Sequence, residues 1–102
     1  MPSAAPHAFP SETKLLTDFG ERLRLARLRR RLTTTTVAER CGISRPTLAK
    51  VERGDPSVTF GTYLRVLSIY GLEGDLASVA ADDALGHRLQ DLALPTARKG
   101  RR

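Results

Sequence analysis

Tryptophan is absent from the 102 residues, which hold three phenylalanines, two tyrosines and a single cysteine. So few rings argue against a pocket walled by aromatics and for a small Leu/Ala helical core. One cysteine cannot close an internal disulfide, which removes the framework that small secreted domains rely on. The N-terminal stretch has neither the basic start nor the apolar core of a signal peptide, and no apolar run approaches membrane-spanning length. The expectation is a cytoplasmic protein. Histidine is scarce too, with His7 near the start and His87 near the end, so no metal-ligand spacing can be assembled with Cys41. Cys41 has the apolar spacing of a core residue and reads as a buried thiol rather than a nucleophile. The adjacent Asp82 and Asp83 could suggest a metal or acid/base pair, but helix capping accounts for them more simply. No Gly-rich phosphate loop is present. Nothing here makes an enzyme, and no cofactor or metal is expected.

What is abundant is positive charge, and its placement says more than the net value of +6. From Arg22 to Arg53 ten Arg or Lys residues face two acids, Glu39 and Glu52, a local charge of +8. From Gly54 to Ala97 two basic residues, Arg65 and Arg88, face six acids, which gives −4, and Arg98 to Arg102 return to +4. This asymmetry describes a polyanion-binding half joined to a half with another task. The alternative is a solvated basic face without a partner.

At this length there is room for one domain and one core, and folding buries only about two-thirds of the extended-chain surface. Residues 1–11 hold three prolines and little to bury, so they read as a disordered arm. Leu16, Phe19, Leu23 and Ala26 recur at helical spacing and predict a first helix from Glu12 to Arg30, widened by Leu15, Leu25 and Leu28. Thr33 suits the N-cap of a short helix ending at Cys41, Gly42 supplies a left-handed exit, and Ser44 caps the next helix, with Pro46 in its first turn and Gly54 at its end. A fourth helix is expected from Thr59 to Tyr70, a fifth from Gly74 to Ala80, and a last one with Leu85, Leu89 and Leu92 on one face, ended by Pro95. The domain is thus read as residues 12–81, followed by an interaction segment with a basic tail over 82–102.

The central stretch carries the functional signal. Two short helices that cross steeply need a small residue at the crossing, here Ala38, and a left-handed residue in the turn, here Gly42. Their inner faces need apolar residues, which Val37, Cys41, Ile43, Leu48 and Val51 supply, and both helix interiors must lack proline. Each element is weak alone; the joint pattern, met between Thr34 and Arg53 inside the most basic part of the chain, is strong.

The stretch from Leu32 to Gly54 (LTTTTVAERCGISRPTLAKVERG) resembles the Cro/C1 (Xre) helix-turn-helix domain of phage repressors and bacterial regulators, and the resemblance runs from about Phe19 to Gly71. It implies an all-α, five-helix, lambda-repressor-like domain, here with a short C-terminal helix and basic tail. The segments from Gly54 to Phe60 (GDPSVTF) and from Asp83 to Leu92 (DALGHRLQDL) further resemble HipB-like antitoxin regulators, which accompany HipA-like kinase toxins. By this resemblance the helix after the turn enters the major groove of double-stranded DNA, where Arg45, Pro46 and Lys50 face the bases and Ala49 lies near the groove floor. Arg45 suits guanine O6 and N7, Lys50 a guanine or a phosphate, and Pro46 an apolar contact. Ser44 and Thr47 are expected at phosphates, as is Thr34, where the family often has a longer-reaching glutamine, and Arg53 is expected among the DNA-binding residues. Among Arg27, Arg29, Arg30 and Arg31, one or two, Arg30 included, are expected to track the DNA backbone.

The implied function is a sequence-specific repressor, a homodimer on an inverted-repeat operator, that also neutralises a HipA-like kinase toxin. Two other readings stay open: a stand-alone repressor of the phage or restriction-control type, and a protein-bridging coactivator module. Leu85, Leu89 and Leu92 are the expected dimer or partner contact.

Overall fold

The computed structural model describes residues 9–93, and its regular structure is entirely helical. The order is α1 (Pro10–Arg29), α2 (Thr34–Cys41), α3 (Arg45–Glu52), α4 (Phe60–Ile69), a 3₁₀ helix (Glu73–Ser78) and α5 (Ala84–Leu92). The basic tail from Arg98 and all but the last residues of the expected N-terminal arm lie outside the described residues.

Local chemistry sets the helix starts. Thr33, Ser44 and Thr59 each accept a hydrogen bond from the backbone N–H three residues on, at 3.1, 3.1 and 3.2 Å. At α1 the first helical residue is Pro10, and the Glu12 carboxylate reaches back to the Phe9 N–H at 3.2 Å. The helix therefore begins two residues before the start expected from Glu12, and Pro10 and Ser11 belong to α1 rather than to an arm.

The exits share one device. Beyond α2 the Ile43 N–H bonds to Ala38 O at 3.0 Å and the Gly42 N–H to Glu39 O at 3.1 Å, with Gly42 at φ +70°. Beyond α3 Asp55 and Gly54 repeat it onto Lys50 and Val51, with Gly54 at φ +71°. After α1 the same turn forms around Arg31 at φ +55°, a conformation that costs an L-residue about 1–2 kcal/mol.

The core is one cluster in which α1 contributes Leu23 and Ala26, α2 Val37, Ala38 and Cys41, α3 Leu48 and Val51, and α4 Tyr63, Val66 and Leu67, with Tyr70 at its exit. Phe19 stacks on Tyr63 with ring centres 5.5 Å apart and closes one side. The helix expected over 74–80 is instead the 3₁₀ helix, with no buried residue of its own. Gly74 lies inside it, and six residues with one half-buried leucine, Leu76, give too little apolar stripe to support α-helical turns. α5 is capped by Asp83, whose carboxylate accepts from the Gly86 N–H at 2.9 Å, and none of its residues is buried.

Candidate nucleic-acid interface

α2, the turn at Gly42 and α3 form a helix-turn-helix whose second helix has two different faces. Leu48 and Val51 are fully buried, and each such side chain contributes roughly 1.5–3 kcal/mol to holding α3 down. At 100° per residue, Pro46 and Lys50 fall opposite them, with Arg53 and Ala49 alongside. Pro46, Lys50 and Arg53 are exposed and Ala49 is half-buried. Arg45 is rotated only about 60° from Leu48 by this periodicity. It is exposed because it is the first residue of α3, so it belongs to the tip of the helix and not to its outward stripe.

The hydroxyls around that tip bond to one another. Ser44 Oγ donates to Thr47 Oγ1 at 2.9 Å while accepting from the Thr47 N–H, so it holds the first turn of α3. The Thr47 hydroxyl accepts in that pair and donates no hydrogen bond among the described residues. Thr34 is the first residue of α2 and half-buried. Arg45, Lys50 and Arg53 make no ion pair among the described residues, so their charge is presented outward.

Behind α3 stands a polar brace that sequence reasoning did not assign. Arg27 Nε and Nη2 grip the two oxygens of Glu52 at 2.8 and 3.1 Å, and Nη1 donates to Leu32 O at 3.1 Å. Both side chains are about nine-tenths covered, at 11% and 9% exposure. The bond to Glu52 raises the Arg27 pKa against the opposing effect of burial, so the guanidinium stays charged. A signal was available: Glu52 lies four residues after Leu48, on the inner face of its helix, where a carboxylate requires a cation. Arg65 Nη1 adds a bond to Cys41 O at 3.1 Å, tying α4 to the end of α2. The Tyr63 hydroxyl donates to Asp55 O at 2.8 Å and steadies the chain leaving α3. Ser57 holds the Asp55 carboxyl below its usual pKa, with lesser help from Lys50 and Arg53.

α1 and α3 also touch backbone to backbone, through two glycines. A Cβ at Gly20 would lie 2.5 Å from Gly54 N and 2.6 Å from Val51 O, and one at Gly54 would overlap the Leu16 carbonyl. Bare backbone is what lets the end of α3 sit this close to α1.

The remaining expected residues are scattered. Arg30 is engaged elsewhere, donating to Ala26 O at 3.0 Å and Tyr70 O at 3.1 Å with its guanidinium 5.4 Å from the Tyr70 ring centre. Ala38 is buried in the core on α2 and Ile43 is half-buried in the turn. Leu85, Leu89 and Leu92 lie exposed on α5, outside the helix-turn-helix. Cys41 is buried, and burial pushes its thiol pKa up, with Arg65 opposing, which keeps it protonated. Among the described residues no group of three or more His, Cys, Asp or Glu stands ready to hold a metal, and no helix is long and apolar enough to cross a membrane.

A family model described as a helix-turn-helix domain matches residues 18–79, more than half of the chain. No curated protein matches the sequence. The matched span takes in most of α1, all of α2 to α4 and the 3₁₀ helix, and it stops before α5.

Proposed function

This chain belongs to the helix-turn-helix domain family, and we propose that it is a DNA-binding repressor that reads an operator with α3. The observation that carries the reading is the division of that helix. Leu48, Val51 and Glu52 lock one side into the fold, while Arg45, Pro46, Lys50 and Arg53 stand free. A helix fixed by packing and an ion pair holds its outward side chains at a constant register against a groove, which base readout requires. Arg45 and Lys50 contact bases, Ala49 and Pro46 approach the groove floor, and Ser44, Thr47, Thr34 and Arg53 contact phosphates. Arg30 serves chiefly to fasten α1 to the end of α4. One such domain makes few contacts, so the working form is a homodimer on an inverted repeat with half-sites about one helical turn apart.

The test compares binding to an operator, selected from random duplexes, with binding to an unrelated duplex. Arg45→Ala and Lys50→Ala each cost about 1–3 kcal/mol on the operator and relax preference at one base position. Arg53→Ala weakens both duplexes alike and lowers the salt slope by about one unit. Equal losses on both duplexes for Arg45→Ala would show that α3 does not read sequence.

The fuller form of the proposal is an antitoxin that neutralises a HipA-like kinase and represses its own operon. It is supported by the resemblance of the Gly54–Phe60 and Asp83–Leu92 segments to such regulators. Co-expression of the chain with the product of the adjacent reading frame tests it. Absence of both complex formation and relief of toxicity leaves a stand-alone repressor.

A further inference from the structure

On the side of the domain formed by α1, α4 and the 3₁₀ helix lies a groove of about 570 Å³. Leu25, Phe60 and Val79 line it, and the last two are 62% and 66% exposed. Arg22 and Arg29 of α1 and Asp75 of the 3₁₀ helix supply its charges. Among the described residues the same chain carries a second uncovered apolar surface. Leu85, Leu89 and Leu92 fall at i, i+4 and i+7 on α5, and are 64%, 57% and 79% exposed. A nine-residue helix is too short to hold its form in water unless that stripe is covered. Only residues 80–83 join the groove's edge to the start of α5, and Ala80 stands at φ +61° in this joint.

We propose that two copies of the chain exchange these helices, the α5 of each lying in the groove of the other. This rests on the homodimer proposed above and specifies its interface. Each chain bears both halves of the contact, so a two-fold pair covers two helices and two grooves at once with no surface left over. Charge fits as well. The segment from Asp82 to Leu92 carries Asp82, Asp83 and Asp91 against Arg88, a net −2 at neutral histidine, while the groove carries Arg22 and Arg29 against Asp75, a net +1. Arg88 borders the leucine stripe, three residues from Leu85 and four from Leu92, where it can meet Asp75. No groove residue belongs to α2 or α3, so the exchange leaves both reading helices open to DNA.

Sedimentation of the full chain with Leu89→Glu on the helix, and Leu25→Glu and Phe60→Asp in the groove, tests the exchange. All three sites are exposed, and circular dichroism with unrelated-duplex binding confirms that each variant is folded. The native chain should sediment at twice 11.2 kDa at tens of micromolar, and each variant as a monomer. An equimolar mixture of Leu89→Glu and Phe60→Asp chains retains one intact helix–groove contact. It should recover a dimer, weakened by about tenfold or more, that neither variant forms alone. A monomeric native chain overturns the proposal, whether α5 folds onto its own groove or awaits a different protein. A dimer lost with Leu89→Glu but kept in both groove variants overturns it too, because α5 would then pair elsewhere. A native dimer with the expected variant behaviour that binds no DNA would refute the repressor reading and leave the exchange standing.

Discussion

Replacing Gly54 by alanine tests the backbone contact that seats α3 on α1. Two separate penalties meet at this residue. Its φ of +71° costs an L-residue about 1–2 kcal/mol. The added Cβ overlaps the Leu16 carbonyl and forces α1 and α3 apart, which at the scale of overpacked interiors costs about 1–3 kcal/mol. Gly54→Ala should therefore lose roughly 3 kcal/mol, or about 12–24 °C of melting temperature in a domain this small. Two controls divide the sum. Gly42→Ala has the same dihedral problem, at φ +70°, but its Cβ would meet only Arg65 Nη1 at 4.0 Å, so it should lose just the first part, about 1–2 kcal/mol. Gly20→Ala has no dihedral problem and gains helix propensity worth about 1 kcal/mol, against the clash with Gly54 N and Val51 O. Urea unfolding of the three variants and of Gly20→Ala/Gly54→Ala measures each part. The double variant should be less harmful than the sum by about 0.5–3 kcal/mol, because both methyl groups open the same gap. A Gly54→Ala variant no less stable than Gly42→Ala would refute the close approach of the two backbones.

Removing one member of the covered ion pair, as in Arg27→Met, should cost about 3–5 kcal/mol by stranding the Glu52 carboxylate, while Arg27→Met/Glu52→Met recovers most of it; equal stability of single and double variants in urea would count against the brace. Burial, the largest influence at both sites, pushes the Tyr63 and Tyr70 phenols up to about 12 from an ordinary value of 10.0. Because the folded state raises these values, the stability they confer is complete below about pH 10 and is lost as pH climbs toward 12. Phenolate absorbance should thus appear together with loss of helix in alkaline titration, and titration near pH 10 with the helices intact would contradict the burial. The two hydroxyls also differ: Tyr63 donates to Asp55 O, whereas the Tyr70 hydroxyl is buried without a partner among the described residues. Tyr63→Phe should cost about 1 kcal/mol and Tyr70→Phe nothing or a slight gain, a contrast that thermal melts resolve.

Much of the domain was legible in one dimension because its signals are local. Thr33, Ser44 and Gly42 act on backbone groups within five residues, so hydroxyl caps and a left-handed exit mark the boundaries of α2 and α3 directly. Helical periodicity likewise separated Leu48 and Val51 from Lys50, since the fold places those on opposite sides of one helix. Weak local signals mark the places where structure and expectation differ: a 3₁₀ helix stands where an α-helix is expected, because its few apolar residues find little to pack against, and Pro10 starts α1 two residues early. Tertiary structure alone decided the rest. Arg27 joins Glu52 across 25 positions, Arg65 reaches Cys41 across 24, and Arg30 turns to Tyr70 across 40. Which arginines of a basic run become braces and which stay free for a ligand depends on the carboxylates and carbonyls that other helices bring near. Gly20 and Gly54 meet for the same reason: a close approach is a property of two backbones, and neither stretch of chain records the position of the other.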